Sequence, residues 1–221
     1  MAKSIAIDGP AGAGKSTIAK MVAKELGFIY VDTGAMYRAM ALFLIREGIK
    51  RDDIPGIEAA CDRADISIDY ENGQQVVLLS GENVNAFLRT EEVGNMASAS
   101  SVDPKVREKL VSLQQKLASE KDVVMDGRDI GTVVLPDSRC KIYLTASSAV
   151  RAKRRFDELT QKGESCDLAR IEADIIERDN RDMTREHSPL RQADDAILID
   201  SSNMSVEDVK NEVLRLAKER L

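Results

Sequence analysis

The run Gly9-Pro10-Ala11-Gly12-Ala13-Gly14-Lys15-Ser16 has the spacing G-x-x-x-x-G-K-S and stands between the β-rich stretch Ser4–Ile7 and a helical stretch that opens near Lys15. No other feature constrains the chain as much. Glycines at these positions let backbone N–H groups curl around phosphate oxygens without Cβ clashes. The helix that follows adds the positive end of its dipole. Lys15 is then placed to reach the β and γ phosphates of a nucleoside triphosphate, and the Ser16 hydroxyl is placed for Mg²⁺. Residues Gly9 to Thr17 are therefore expected to hold a triphosphate.

Short apolar, β-rich runs recur at Phe28–Val31, Val123–Met125, Lys141–Leu144 and Ala196–Ile199, separated by helix-length segments. Such alternation implies βαβ crossovers and a mainly parallel sheet covered on both faces, an α/β fold. One region departs from it. Ile66–Tyr70, then Asn72-Gly73, then Gln75–Leu79 reads as a hairpin, and Asn83 to Asn85 as a third short strand after Gly81; Asn-Gly suits the positive φ angles of a two-residue turn. With its flanking helices this unit forms an insertion between the second and third core strands. Arg151 to Gly163 is strongly charged, Asp167 to Arg185 reads as a helix with Leu168, Ile171, Ile175 and Ile176 at helical spacing, and Ser205 to Asp208 resembles a capping box opening the last helix. At 221 residues the chain is expected to form one domain.

Several function classes are excluded at this level. The longest apolar run, Ala39–Ile45, is far short of a bilayer span, and the first seven residues have no signal-peptide character, so a cytoplasmic protein is expected. Cys61, Cys140 and Cys166 are widely spaced and suggest no disulfide framework or zinc site. Thirty-two Lys and Arg against thirty-eight Asp and Glu give a net charge of -6, which with 4% aromatic residues argues against nucleic-acid or membrane binding. A monomer is the default expectation. Anionic ligands must be met by local basic groups.

Those groups are visible. The segment Val123 to Asp129 ends Asp126-Gly127-Arg128-Asp129, which reads as a substrate-binding turn at the carboxyl end of a parallel strand. No N-K-x-D guanine-reading segment is present, and no strand ends in the adjacent acidic pair usual in ATP-driven motors. Arg38 lies one turn into a helix after the second strand. Arg178, Arg181, Asp182 and Arg185 share one helix face, although Asp174 with Arg178 and Glu177 with Arg181 could equally be ordinary surface pairs. A hydroxyl acceptor would call for a general base. A phosphate acceptor is already largely dianionic near neutral pH and calls for charge neutralisation instead, which guanidinium groups do well. A chain with one histidine, His187, and grouped arginines fits the second demand.

Gly9 to Thr17, D-T-G-A-M-Y-R at Asp32 to Arg38, D-G-R-D-I-G-T-V-V at Asp126 to Val134 and R-D-N-R-D-M-T-R at Arg178 to Arg185 together resemble the bacterial cytidylate kinases. The resemblance runs from the first strand to the C-terminal helix. It implies the P-loop NTPase fold: a five-stranded parallel sheet flanked by helices, a small three-stranded antiparallel insertion and a helical lid. The implied division is core 1–34, 118–150 and 186–221, monophosphate-binding insertion about 35–117, and lid about 151–168 followed by helix 169–185. The implied activity is transfer of a phosphoryl group from ATP to CMP or dCMP with Mg²⁺. By the same resemblance Arg38, Arg128 and Arg178 or Arg181 hold the acceptor phosphate, with Thr33 beside them where serine is common in the family. Asp182 meets the sugar hydroxyls; Ser98, Arg107 and Asp129 read the cytosine. Arg154, Arg155 and Arg185 are lid or catalytic arginines, Arg128, Arg178 and Arg185 joining Lys15 in catalysis. Two other readings stay open: a P-loop kinase for a different small acceptor, and a regulatory nucleotide-binding protein without turnover.

Overall fold

A computed structural model describes residues 2–71 and 73–221; Asn72, half of the expected Asn-Gly turn, lies outside the described residues. The chain opens with β1 (Ser4–Asp8), the glycine loop, α1 (Lys15–Leu26), β2 (Ile29–Asp32) and α2 (Thr33–Arg46). Next come α3 (Ile54–Cys61), β3 (Ile66–Glu71), β4 (Gln74–Leu79), β5 (Glu82–Asn83), α4 (Glu91–Ser100) and α5 (Pro104–Glu120). The remainder is β6 (Val123–Gly127), a π-helical turn (Ile130–Val134), β7 (Cys140–Thr145), α6 (Ser148–Gln161), α7 (Leu168–Thr184), β8 (Ile197–Asp200) and α8 (Val206–Arg220).

Five strands pair in the order β2-β6-β1-β7-β8, every neighbour parallel, and β3-β4-β5 form a separate antiparallel sheet. Side-chain alternation divides the large sheet between two cores. Ile5, Ile7, Val124, Ile142 and Leu144 pack against α1 and α8. Ala6, Val31, Val123 and Met125 face the opposite way, into a core built from α2 to α5 and continuous with Ile66, Val77 and Leu79 of the small sheet. The inserted elements thus share a core with the sheet they follow.

The expected strands and helices are found, with boundaries moved for identifiable reasons. β2 begins at Ile29 because the Phe28 N–H donates to Ala23 O at 2.9 Å, closing the left-handed Gly27 cap of α1. β8 begins at Ile197 because Ala196 N–H is held by Ala193 O at 2.9 Å. The third strand is Glu82–Asn83 and not Asn83 to Asn85. Asn85 edges β4 with its side chain instead, accepting from Val77 N–H at 3.0 Å and donating to Gln75 O at 2.9 Å. Ser205 and Asp208 do make a reciprocal capping box at the start of α8. Segment 151–168 starts inside α6, and its first residue, Arg151, is buried.

Candidate active site at the carboxyl ends of the sheet

Asp8 ends β1 and delivers the chain into the glycine loop. A Cβ on Gly9 would lie 1.9 Å from Leu144 O of the neighbouring strand, so only glycine can pass this point. Gly14, at φ 87°, caps α1 in the left-handed region and turns the next N–H groups into the loop. Lys15 is buried and donates to Pro10 O at 2.7 Å. Burial, then the charge of Arg128, pushes its ammonium down to about 7. Ser16 Oγ donates to Asp126 Oδ2 at 2.8 Å, and Tyr30 OH donates to Asp126 Oδ1 at 2.8 Å. Asp126 is buried at the end of β6, and burial followed by the nearby charge of Asp32 raises its carboxyl above the usual range. A desolvated carboxylate beside a hydroxyl at a phosphate loop suits a hard divalent cation. Such a site would take Mg²⁺ through Ser16, Asp126 and donor phosphate oxygens, few protein ligands being usual for that ion. The sequence points to Ser16 for this ion and to Asp126 only as part of a substrate-binding turn. Its signal was a carboxylate closing the apolar run Val123–Met125 in register beside Ile7 of the strand that feeds the loop.

A cavity of about 530 Å³ lies over Gly12 to Thr17, walled by α6 and the start of α8. Arg154 and Arg155 both line it. Arg154 donates to Ser201 O at 2.8 Å, and Arg155 is exposed and paired with Glu158 at 2.8 Å. Beneath them Arg151 donates to Ala11 O at 2.9 Å, Ala146 O at 2.8 Å and Asp179 Oδ2 at 2.6 Å, fastening α6 to the loop and to α7.

A second charged group forms around the ends of β2 and β6. Asp32 caps α2 through Ala35 N–H and pairs with Arg38 at 3.4 Å. Thr33 is buried with its hydroxyl donating to Asp126 O at 2.7 Å, so its oxygen is already engaged. Arg128 Nε donates to Asp182 Oδ2 at 2.7 Å across to α7. Burial alone would raise the Asp182 carboxyl, but Arg128 and Arg178 outweigh it and hold it below the carboxylate range. Arg178 keeps over a third of its surface open, yet desolvation and the adjacent Arg128 lower its guanidinium. Arg181 is not in this group: its side chain is 59% exposed and pairs with Glu177 at 3.7 Å along the helix. The other surface pair considered, Asp174 with Arg178, does not form among the described residues; Arg178 faces Arg128 and Asp182.

Deeper in, Arg107 on α5 is paired with the buried Asp129 carboxylate, donates to Ser101 O at 3.0 Å and lies over the Tyr37 ring. Arg185 comes within 3.9 Å of the other Asp129 oxygen while donating to Ser188 O at 2.7 Å, so it sits with the Asp129 group and not over the phosphate loop. Ser98 is half-buried on α4; its carbonyl accepts from Ser101 Oγ at 3.1 Å, linking it to Arg107 through Ser101. Arg38 Nε, Arg107 Nε and Arg185 Nη2 are buried without a hydrogen-bond partner among the described residues. Asp8 holds the turn that follows Asp129: its oxygens accept from Ile130 N–H at 2.8 Å and Gly131 N–H at 2.7 Å. Burial raises this carboxyl to about 6. His187 is exposed, outside the group.

The family model described as cytidylate kinase matches residues 5–219, nearly the whole chain, including every segment just described. The chain belongs to the cytidylate kinase family. The cytidylate kinase of Caldicellulosiruptor saccharolyticus is 53% identical over 96% of this chain and 94% of its own length. That of Geobacter sp. strain M21 is 45% identical over 98% and 93%. The Listeria monocytogenes cytidylate kinase is 48% identical over 97% and 95%. Among solved structures, an uncharacterized protein from Eubacterium ventriosum covers 99% of both chains at TM-score 0.50 and 13% identity, a likeness of fold alone. No helix among the described residues is long and apolar enough to cross a membrane.

Proposed function

We propose that the chain moves the γ-phosphoryl group of ATP to the phosphate of CMP or dCMP by in-line displacement, with Lys15, Arg38, Arg128 and Arg178 neutralising the oxygens that are brought together. The observation that carries this reading is the meeting, at the carboxyl ends of β1, β2 and β6, of a phosphate loop with a second group of arginines, Arg38, Arg128 and Arg178, beside the buried Asp129–Arg107 pair. Mg²⁺ held through Ser16 and Asp126 would supply charge stabilisation on the donor phosphates. Lys15, drawn from Pro10 O by the donor, adds a cation on the same oxygens. No side chain needs to remove a proton, since the acceptor phosphate is largely dianionic. The carboxylates near it, Asp182 and Asp129, are both engaged by arginines.

Cytosine choice follows from Asp129 and Arg107. Cytosine presents an N4 amino donor and an N3 acceptor, which a carboxylate and a guanidinium complement; uracil reverses both. Each buried mismatch costs about 1–3 kcal/mol, one to two orders of magnitude in rate. Asp182, paired with Arg128 and beside Arg178, is the residue we assign to the sugar hydroxyls. A panel of nucleoside monophosphates in an ADP-release assay tests the reading: CMP and dCMP should be turned over well ahead of UMP, AMP and GMP. ATP hydrolysis that no monophosphate stimulates would refute it and favour the regulatory reading.

A further inference from the structure

Five cations line the cavity over the phosphate loop: Lys15, Arg89, Arg151, Arg154 and Arg155, against one anion, Glu158. Four already have protein acceptors. Lys15 donates to Pro10 O, Arg151 to Asp179 and Ala11, Arg154 to Ser201, and Arg155 to Glu158. Arg89 has no hydrogen-bond or ion-pair partner among the described residues, and it is exposed. It is also the lone member of the set from the inserted region, on the turn between β5 and α4. Its backbone is fixed on both sides: Leu88 is 3% exposed, and Thr90 caps α4 by accepting from Val93 N–H at 3.3 Å. A held backbone presenting an uncommitted guanidinium to a phosphate cavity has anions as its natural partner.

We propose that Arg89 is a catalytic residue of the transfer, a guanidinium carried by the acceptor-binding insertion onto the oxygens of the donor's transferring phosphoryl group. The inference rests on the function proposed above. In the step it serves, the bond from the γ-phosphorus to the β-bridging oxygen breaks with its electron pair leaving on ADP. A bond from an oxygen of the CMP phosphate forms. Total charge is equal on both sides, so no proton moves and Arg89 remains a cation throughout. Placing this charge on the insertion couples acceptor binding to stabilisation of the donor.

Steady-state kinetics of Arg89→Ala and Arg89→Lys with ATP and CMP, beside wild type, test it. The alanine variant should lose kcat by about 10²–10³-fold, the range for removing one preorganised donor at developing charge. Its KM for CMP should stay within about threefold and its Tm unchanged, and lysine should restore part of kcat. A kcat within about threefold of wild type overturns the proposal, as does a raised KM for CMP with kcat intact, which would make Arg89 an acceptor-phosphate holder. If alanine lowers the Tm, Arg89→Lys decides: reduced kcat in a folded protein supports the role, and wild-type kcat overturns it. Wild type that fails to phosphorylate CMP would refute the function itself, a different result.

Discussion

Lys15 concentrates the chemistry of the donor site in one ammonium. It is buried, beside Arg128, and its pKa is pushed down to about 7. The unfolded chain holds that proton up to about 10.5, so this group makes the ligand-free fold more stable as pH rises from about 7 towards 10.5. Triphosphate oxygens restore the charged form. ATP binding should therefore take up close to one proton per chain at about pH 8.5 and little at about pH 6, as read by calorimetry in buffers of different ionisation enthalpy. A count near zero at the higher pH would contradict the placement of Lys15 against the phosphates. In the proposed function Asp129 plays the corresponding part for the base. Asp129→Asn keeps its size but offers an amide donor, so the ratio of kcat/KM for CMP over UMP should fall by about 10–100-fold. An unchanged ratio would remove Asp129 from base reading.

At the scale of elements, α6 is fixed to the phosphate loop by one buried side chain. Arg151→Met would strip the donors from Ala11 O and Ala146 O and leave Asp179 buried without its cation. Breaking such a pair costs about 3–5 kcal/mol, which for a chain of this size lowers Tm by roughly 10 °C. A melt within about 2 °C of wild type would show that α6 is held otherwise. This role could not be read from Arg151-Ala152-Lys153-Arg154-Arg155, where four basic residues look alike until a fold buries the first and exposes the others. The strands were readable because each apolar run is short and bounded, and the glycine loop because its spacing has few alternatives. The π-helical turn after Asp129 had no comparable signal. It exists because Asp8, more than a hundred residues earlier, accepts from Ile130 and Gly131 N–H groups. The pairing of Asp126 with Ser16 and Tyr30 is not legible for the same reason, those partners being distant in sequence. Local pattern shows elements; pairings made across the sheet need the fold.

Across the whole molecule, an acidic chain of net charge -6 sets a group of its cations at one end of one sheet. The phosphate loop with Lys15 lies at β1, the Arg38–Asp32 group at β2, and Arg128 with Asp129 at β6, whose strand lies between the other two. In the proposed function that order brings donor and acceptor anions, which repel in water, toward a shared centre lined by these cations. On that reading a single ligand spans both sites, and joining two bound groups converts the second binding event into an intramolecular one. The most direct test is titration calorimetry with cytidine and adenosine linked 5′ to 5′ through five phosphates. The expected result is one molecule bound per chain with a Kd at least about 100-fold below that of ATP. Affinity no greater than that of ATP, or two molecules per chain, would contradict it.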